Sequence, residues 1–246
     1  MQDKLIAIVP AAGVGARAQE SSSQPVNGPK QYRLLRNESM LRHAVRALLA
    51  DSRIDRVLVA VSAADVWAES ALAGLPRTEV RACGGPSRAE TVMAALRQAQ
   101  PGAHDWALVH DAARPGLPSS ALTRLIDTCL EQGVGGLLAL PVADTVKRGV
   151  ALDHNACILT GGAAQAGHAA KETINRDNLW VAQTPQMFPA LELLHALEHA
   201  LEAGKTITDE ASAMEQTGYK PRLVPGSVRN FKVTWPEDFE LMEKWL

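Results

Sequence analysis

A run of small residues ends the first apolar segment, and two separated cations flank the loop that follows it. The run reads Pro10-Ala-Ala-Gly-Val-Gly-Ala-Arg17, and Lys30 lies beyond the loop. Small residues let backbone N–H groups approach phosphate oxygens closely, as in anion-binding nests and at helix N-termini. Arg17 and Lys30 could neutralise charge on a nucleotide whose phosphorus is under attack. We therefore predict an anion site here, although each cation taken singly also fits a solvated surface position.

The same residues satisfy the dinucleotide fingerprint G-x-G-x-x-G/A, with Gly13, Gly15 and Ala18 in its three positions. A dinucleotide site requires a helix that begins at these glycines, whereas residues 21–29, SSSQPVNGP, are rich in turn formers. Asp65 follows the second predicted strand, near where such an enzyme carries a ribose-binding acid. The loop composition tells against a dinucleotide-dependent oxidoreductase, which stays as the alternative from another class.

A second candidate group follows a later apolar segment. His110-Asp-Ala-Ala-Arg-Pro115 places Asp111 and Arg114 just after a predicted strand, and open α/β sheets bind ligands at that edge. The two side chains could instead form an internal ion pair that closes the loop. His110 fits a packed histidine at a strand end better than a general base. Two glycines at 84–85 precede a predicted helix, and on the sequence alone they fit a simple turn.

The elements that position these residues are short apolar runs that alternate with helical patterns. Continuous apolar runs predict strands buried on both faces over Leu5–Val9, Arg56–Val61, Trp106–His110 and Gly136–Leu140. Apolar residues three and four apart predict helices over 38–50, 88–99, 119–132, 190–203, 209–217 and 236–245. Ser87-x-x-Glu90 and Thr234-x-x-Glu237 predict capping boxes at two of the helix starts. This alternation predicts an α/β fold with a mostly parallel sheet and helices on both faces.

Length and composition limit the possible functions. The 246 residues, 46% of them hydrophobic, predict a single domain over 1–246, and the excursion at 142–178, such as an arm, lies within it. The chain has 25 Lys and Arg residues and 27 Asp and Glu residues. It therefore lacks the overall positive charge that sequence-independent binding to nucleic acid would need, and we expect no nucleic-acid partner. The three cysteines are far apart and suggest neither disulfides nor a zinc site. We see no membrane-spanning run or signal pattern and expect a cytoplasmic protein.

Taken together, the motifs occur in one order and resemble one family. They are PAAGxGxR from residue 10, PKQY at 29–32, Cys-Gly-Gly at 83–85, HDAARP at 110–115, TPQ at 184–186, TDEAS at 208–212 and KVT at 232–234. This set is similar to that of the 2-C-methyl-D-erythritol 4-phosphate cytidylyltransferases. The resemblance implies a three-layer Rossmann-like nucleotidyltransferase fold with a protruding β-arm for dimerisation. It also implies CMP transfer from CTP to 2-C-methyl-D-erythritol 4-phosphate, with release of pyrophosphate, in the non-mevalonate isoprenoid precursor pathway.

The family's functional positions fall on residues of this chain. The resemblance assigns catalysis to Arg17, Lys30, Arg176 and Lys232. It assigns CTP binding to Ala11, Ala12, Gly13, Gly15, Gly84, Gly85, Thr91 and Ala112. It assigns substrate binding to Asp111, Arg114, Thr145 and Thr208. It further implies Mg²⁺ held mainly by the CTP phosphates, with no metal ligand from the chain.

The resemblance makes segment 142–178 an arm that hooks around a second subunit and brings Thr145 and Arg176 to the partner's site. Three features depart from the family pattern: Ser21–Asn27 is an apparent insertion, Pro86 replaces a more usual acid, and Gly161–Ala170 lengthens the arm. A ribitol 5-phosphate cytidylyltransferase would share the nucleotide motifs and stays open. A catalytically silent sugar-nucleotide binding protein would be expected to lack Arg17, Lys30 or Lys232.

Overall fold

The computed structural model describes residues 3–13, 28–152 and 167–246. Gly15, Arg17, the apparent insertion Ser21–Asn27 and residues 161–166 of the lengthened arm lie outside the described residues. The chain divides into two compact units, Met1–Ala139 with Ala182–Leu246, and Leu140–Val181. The second unit brackets the predicted excursion at 142–178.

A seven-stranded sheet organises the first unit. The strands along the chain are β1 (Leu5–Pro10), β4 (Ile54–Ala60), β5 (Thr78–Arg81), β6 (Trp106–Val109), β7 (Gly136–Pro141), β10 (Trp180–Pro189) and β11 (Arg222–Pro225). Their order across the sheet is β11-β7-β10-β6-β1-β4-β5. Strands β1, β4, β5 and β6 pair in parallel, β11 is parallel to β7, and β10 is antiparallel to β6. The predicted mostly parallel α/β sheet is confirmed.

The described part of the first unit also contains seven α-helices and a short two-stranded ribbon. The helices are α1 (Met40–Leu49), α2 (Ala68–Leu72), α3 (Arg88–Ala99), α4 (Ser119–Gln132), α5 (Ala190–Glu202), α6 (Glu210–Glu215) and α7 (Pro236–Trp245). A two-stranded ribbon pairs β2 (Leu34–Leu35) with β3 (Glu38–Ser39). The six predicted helices are confirmed, with ends that differ by at most two residues.

Strand β1 shows why the sheet lies in the middle of the core. Its residues alternate between two apolar clusters, with Ala7 and Val9 packed against α1 and α4, and Ile6 and Ile8 packed against α3 and α5. Ile8 is fully buried, and burial of one such side chain contributes about 1.5–3 kcal/mol. A strand that is buried on both faces needs a continuous apolar run. The buried strand holds the start of the following loop in place at the carboxyl edge of the sheet.

One of the two predicted capping boxes is confirmed and one is wrong. Helix α3 begins with the reciprocal Ser87 and Glu90 bonds. The Thr234 and Glu237 box does not form, because Pro236 is the first helical residue and makes its extended neighbour Trp235 the N-cap. The Asp238 carboxylate accepts instead from the backbone N–H groups of residues 234 and 235, at 2.6 and 2.8 Å.

The second unit is built on an antiparallel pair, β8 (Val146–Ala151) and β9 (His168–Ile174), with a register shift between Arg148 and Gly149. Most of the side chains of these two strands are exposed. Within this unit the guanidinium of Arg176 donates to the carbonyl of Ala143. Across both units, no helix among the described residues is long and apolar enough to cross a membrane.

Candidate active site

A cavity of about 440 Å³ opens where strands β1, β5 and β6 end. The residues that line it are Pro10, Ala11, Ala12, Gly13, Lys30, Gln31, Met40, Gly85, Pro86, Ser87, Arg88, Thr91, Asp111, Ala112, Ala113, Lys232 and Thr234. Nine of these are residues that the sequence assigned to a site: Ala11, Ala12, Gly13, Lys30, Gly85, Thr91, Asp111, Ala112 and Lys232. The carboxyl edge of a parallel sheet is the usual place for a ligand in this architecture.

The turn after β1 is fixed by hydrogen bonds at both sides of Ala11. Its N–H donates to the carbonyl of Ala60 at 2.8 Å, which extends the pairing of β1 with β4. Its carbonyl accepts from Nε2 of the buried Gln31 at 2.7 Å. Gln31 comes from the PKQY motif, so this motif supports the small-residue turn as well as supplying Lys30.

The Gly84–Gly85 pair is required by space. A Cβ on Gly84 would lie 2.9 Å from the carbonyl oxygen of Val61 and against the side chain of Ala12. A Cβ on Gly85 would lie 2.7 Å from Cβ of Glu90. The Gly85 N–H donates to the hydroxyl of the buried Thr91 at 3.0 Å. Gly84 therefore lets the backbone pass close to Val61 and Ala12, and Gly85 lines the cavity.

Asp111 lies among three cations. Its Oδ1 accepts from Nε of Arg88 at 3.0 Å, and its Oδ2 accepts from Nζ of Lys232 at 2.8 Å. Nε of Arg114 lies 3.8 Å from Oδ2, so the ion pair that the sequence left open is present. Burial by itself would raise the pKa of Asp111, but the charges of Arg88, Lys232 and Arg114 together hold it well below its usual range. Asp111 is therefore ionised at neutral pH.

Arg88 is a member of the site. It lines the cavity, and its Nη1 and Nη2 donate to the two carboxylate oxygens of Glu210 at 2.7 and 3.0 Å. Glu210 is fully buried in the TDEAS motif. Burial acts to lower the pKa of Arg88, but Glu210 and Asp111 outweigh it and the pKa is raised. Sequence reasoning missed Glu210, and its only signal was its place in that motif.

The TPQ motif connects two of the loops at the site. The Thr184 hydroxyl accepts from the Asp111 backbone N–H at 3.0 Å. Gln186 donates to the Asp209 carboxylate at 2.8 Å and accepts from the Ala211 N–H at 2.7 Å. Residues of β10 therefore fix both the loop that carries Asp111 and the start of α6. The sequence identified this motif but assigned it no role.

His110 is buried and neutral. Its Nε2 lies 3.1 Å from the Arg114 carbonyl, which can only accept, so this nitrogen carries the proton. Nδ1 then accepts from the Thr184 hydroxyl at 3.0 Å. Burial lowers the pKa of His110 from 6.5 to about 4, as expected for a packed histidine.

The depressed pKa of His110 predicts a pH-dependent stability. The neutral imidazole contributes fully above pH 6.5, and the contribution is lost as pH falls toward 4, because the unfolded chain binds the proton first. From pH 8 to pH 5 this histidine alone lowers the unfolding free energy by roughly 2 kcal/mol. Urea unfolding at both pH values should show this loss in wild type and a smaller loss in His110→Asn. The exposed His104→Asn variant is the matched control, and equal losses in all three proteins would contradict the prediction.

Lys30 lies on the cavity wall, and its ammonium donates to the carbonyl of Val233. Beyond it, the Tyr32 hydroxyl donates to Asp65 at 2.6 Å, and Asp65 also accepts from the N–H groups of Trp67 and Ala68. Asp65 therefore stabilises the start of α2 and fixes the PKQY segment. This engagement tells against the ribose-binding acid of the oxidoreductase alternative.

Of the remaining predicted residues in the described part of the first unit, Gly84, Arg114 and Thr208 are not in the cavity lining. Gly84 supports the backbone turn before Gly85, and Arg114 donates to the carbonyl of Asn230 at 2.7 Å. Thr208 is exposed and precedes Asp209, the N-cap of α6. Thr145 and Arg176 belong to the second unit. Gly15 and Arg17 lie outside the described residues.

The described part of the site fits a metal that arrives with a nucleotide. Among the described residues, no group of three or more His, Cys, Asp or Glu side chains could hold a metal ion. Asp111 is the acid of the described lining, and three cations surround it. Mg²⁺ keeps several water ligands and is commonly held by substrate phosphates with few protein ligands.

Fold and site together define a class, that of α/β proteins with a ligand cavity at the carboxyl edge of a mostly parallel sheet. The model of the 2-C-methyl-D-erythritol 4-phosphate cytidylyltransferase family matches residues 5–246. This chain belongs to that family. The predicted resemblance is confirmed.

Individual relatives agree with the family match. The chain is 61% identical over 246 residues to the 2-C-methyl-D-erythritol 4-phosphate cytidylyltransferase of Bordetella pertussis, covering 100% of both chains. It is 46% identical over 241 residues to that of Laribacter hongkongensis, covering 97% of this chain and 94% of the relative. A crystal structure of 4-diphosphocytidyl-2C-methyl-D-erythritol synthase matches with a TM-score of 0.80 at 36% identity, covering 100% of this chain and 99% of the other. The Francisella tularensis enzyme matches with a TM-score of 0.76 at 28% identity, covering 99% and 100%.

Proposed function

We propose that this protein transfers CMP from CTP to 2-C-methyl-D-erythritol 4-phosphate, forming 4-diphosphocytidyl-2-C-methyl-D-erythritol and pyrophosphate in the non-mevalonate isoprenoid precursor pathway. The observation that carries the proposal is a single cavity lined both by the small-residue turn at Ala11–Gly13 and by the cations Lys30 and Lys232. The family match of the chain, over residues 5–246, supports the same proposal. A ribitol 5-phosphate cytidylyltransferase and a dinucleotide-dependent oxidoreductase are not favoured by this match.

In this proposal the reaction is one in-line displacement. A phosphate oxygen of the polyol attacks the α-phosphorus of CTP, a new P–O bond forms, and the bond to the bridging oxygen breaks as pyrophosphate leaves. The nucleophile is already anionic, so no strong general base is needed, which agrees with the neutral, buried His110. The chain must supply alignment and positive charge where negative charge accumulates.

Each wall of the cavity has a proposed task. Backbone groups of Ala11–Gly13 and Gly84–Gly85, together with Thr91, would contact cytosine, and Ala112 would contact the ribose. Pro86 lines the same wall and has no N–H to donate, so any base contact there uses other groups. Arg17 and Lys30 would stabilise charge on the phosphates. Mg²⁺ bound to the CTP phosphates would supply further charge neutralisation.

The polyol phosphate is assigned to the side of the cavity that carries Asp111 and Lys232. The ionised Asp111 can accept from polyol hydroxyls, and the ammonium of Lys232 can follow a phosphate as it becomes the nucleophile. Arg114 and Thr208 would support this side. We further propose a cytoplasmic homodimer in which segment 142–178 of one subunit brings Thr145 and Arg176 to the site of its partner.

The direct test is turnover by purified protein with Mg²⁺, CTP and either 2-C-methyl-D-erythritol 4-phosphate or ribitol 5-phosphate. Pyrophosphate release is followed, and the nucleotide product is identified by mass, in wild type and in Arg17→Ala. We expect the methylerythritol product from wild type and its loss in the variant. Turnover of ribitol 5-phosphate alone would overturn the substrate, and no turnover of either would overturn the catalytic assignment.

A further inference from the structure

We propose that Glu210 is a positioning residue for the polyol side of the site, acting through Arg88 on Asp111. The proposal rests on the proposed function, because it concerns how Asp111 is presented to the phosphorylated polyol. Glu210 does not line the cavity, and it contacts Arg88, which does.

Four charged groups form a continuous row. Glu210 accepts two hydrogen bonds from Arg88, Nε of Arg88 donates to Oδ1 of Asp111, and Oδ2 of Asp111 accepts from Lys232. The signs alternate along the row when Glu210 is ionised: burial raises the pKa of Glu210, and the charge and hydrogen bonds of Arg88 act against that rise. Arg88 is thus held on both sides, and each oxygen of Asp111 has a different cationic partner.

Glu210 decides which edge of the Arg88 guanidinium faces Asp111. A guanidinium and a carboxylate prefer a two-pronged contact through two N–H groups. Here Glu210 takes that contact with Nη1 and Nη2 and leaves the single Nε donor for Asp111. Without Glu210, the Nη groups would be released to bind both oxygens of Asp111. Arg88 would then compete with Lys232 and with a polyol hydroxyl for Oδ2.

The position of Glu210 is itself fixed from both sides along the chain. Asp209 caps α6 by accepting from the Ser212 N–H at 2.9 Å. Gln186 accepts from the Ala211 N–H at 2.7 Å and donates to Asp209. Glu210 is fully buried between these two anchors. A group that orients a binding residue is effective when its own geometry is set in this way.

The test compares Glu210→Gln, which keeps the shape and removes the charge, with Glu210→Asp, which keeps the charge and shortens the reach. Glu215→Gln, an exposed change on the same helix, is the matched control. Four quantities are measured on each protein: kcat, KM for the polyol phosphate, the CTP dissociation constant by calorimetry, and the melting temperature. A purely structural role would affect CTP binding and polyol use together.

We expect Glu210→Gln to raise KM for the polyol phosphate on the order of tenfold or more, with a CTP dissociation constant within about twofold of wild type. Glu210→Asp should also raise KM for the polyol phosphate and leave the CTP dissociation constant near wild type, but the rise in KM should be smaller. Glu215→Gln should match wild type in both quantities. Equal changes for both substrates, an unchanged KM, or failure of both Glu210 variants to fold would overturn the positioning role. Inactivity of wild type in the same assay would instead overturn the proposed function.

Discussion

Replacing Lys30 by methionine is expected to lower kcat by about 10²–10³-fold, the usual effect of removing one preorganised charge donor from a developing anion. Lys30 lies on the wall of the cavity and its ammonium is held by the Val233 carbonyl, so the charge is in place before the reaction begins. Methionine keeps most of the side-chain volume and removes the charge. Because the anionic charge redistributes at the phosphorus during displacement, the loss should be larger in the transition state than in bound CTP. Single-turnover rates at saturating CTP measure this effect directly.

Lys205→Met is the matched control for this experiment, since Lys205 is exposed after α5 and has no part in the cavity. It should retain wild-type rates. If Lys30→Met instead weakens CTP binding and leaves kcat near wild type, Lys30 serves ground-state binding and the catalytic assignment is wrong. Lys30→Arg keeps the charge but changes its geometry, so an intermediate rate is expected.

Four strands of the central sheet, β1, β4, β6 and β7, could be predicted from the sequence because they are largely apolar on both faces. Strands β5, β10 and β11 were not predicted, since each includes exposed residues that interrupt the apolar signal. Leu5–Pro10 and Trp106–Val109 are almost entirely buried, and a short continuous apolar run is the signal for such strands. The ends differ from the prediction by one or two residues, since pairing with neighbours decides where a strand ends. The exposed strands β8 and β9 carry no such signal, and the two-residue strands β2 and β3 are too short for any periodicity.

The predicted part of the site rests on motifs, and a strand end adds a second signal where the two coincide. Asp111 and the turn after β1 have both properties. Glu210 lies in the TDEAS motif but at no predicted strand end, and its partner Arg88 lies 122 residues away along the chain, so only tertiary folding brings the two together. Thr184 lies 73 residues from Asp111 along the chain. The hydrogen bond by which the TPQ motif holds the Asp111 loop therefore also depends on tertiary folding. A single sequence shows which residues a motif contains but not which buried charges must compensate one another.

Two inactive variants are expected to form an active pair if the site is shared between subunits. Lys30 belongs to the first unit, whereas Arg176 belongs to the second. Consider a dimer that pairs one Lys30→Met chain with one Arg176→Ala chain and in which each arm reaches the site of the partner. One of its two sites would then contain both substitutions, and the other site would contain neither. Co-expression with two different tags and tandem purification isolates this hybrid. Its activity should be about half that of wild type, since a two-fold dimer has two equivalent sites.

A second hybrid provides the control, because it carries the same two substitutions in a different arrangement. When one chain contains both Lys30→Met and Arg176→Ala and its partner is wild type, an exchanged arm leaves a defect in each site, and the hybrid should be nearly inactive. If each chain instead completes its own site, the outcomes reverse, with the second hybrid about half active and the first inactive. Arg176 is suited to the test because a planar guanidinium binds phosphate through two prongs that alanine cannot replace. The pair of hybrids therefore distinguishes an exchanged arm from a site closed within one chain, whatever the absolute rate of the enzyme.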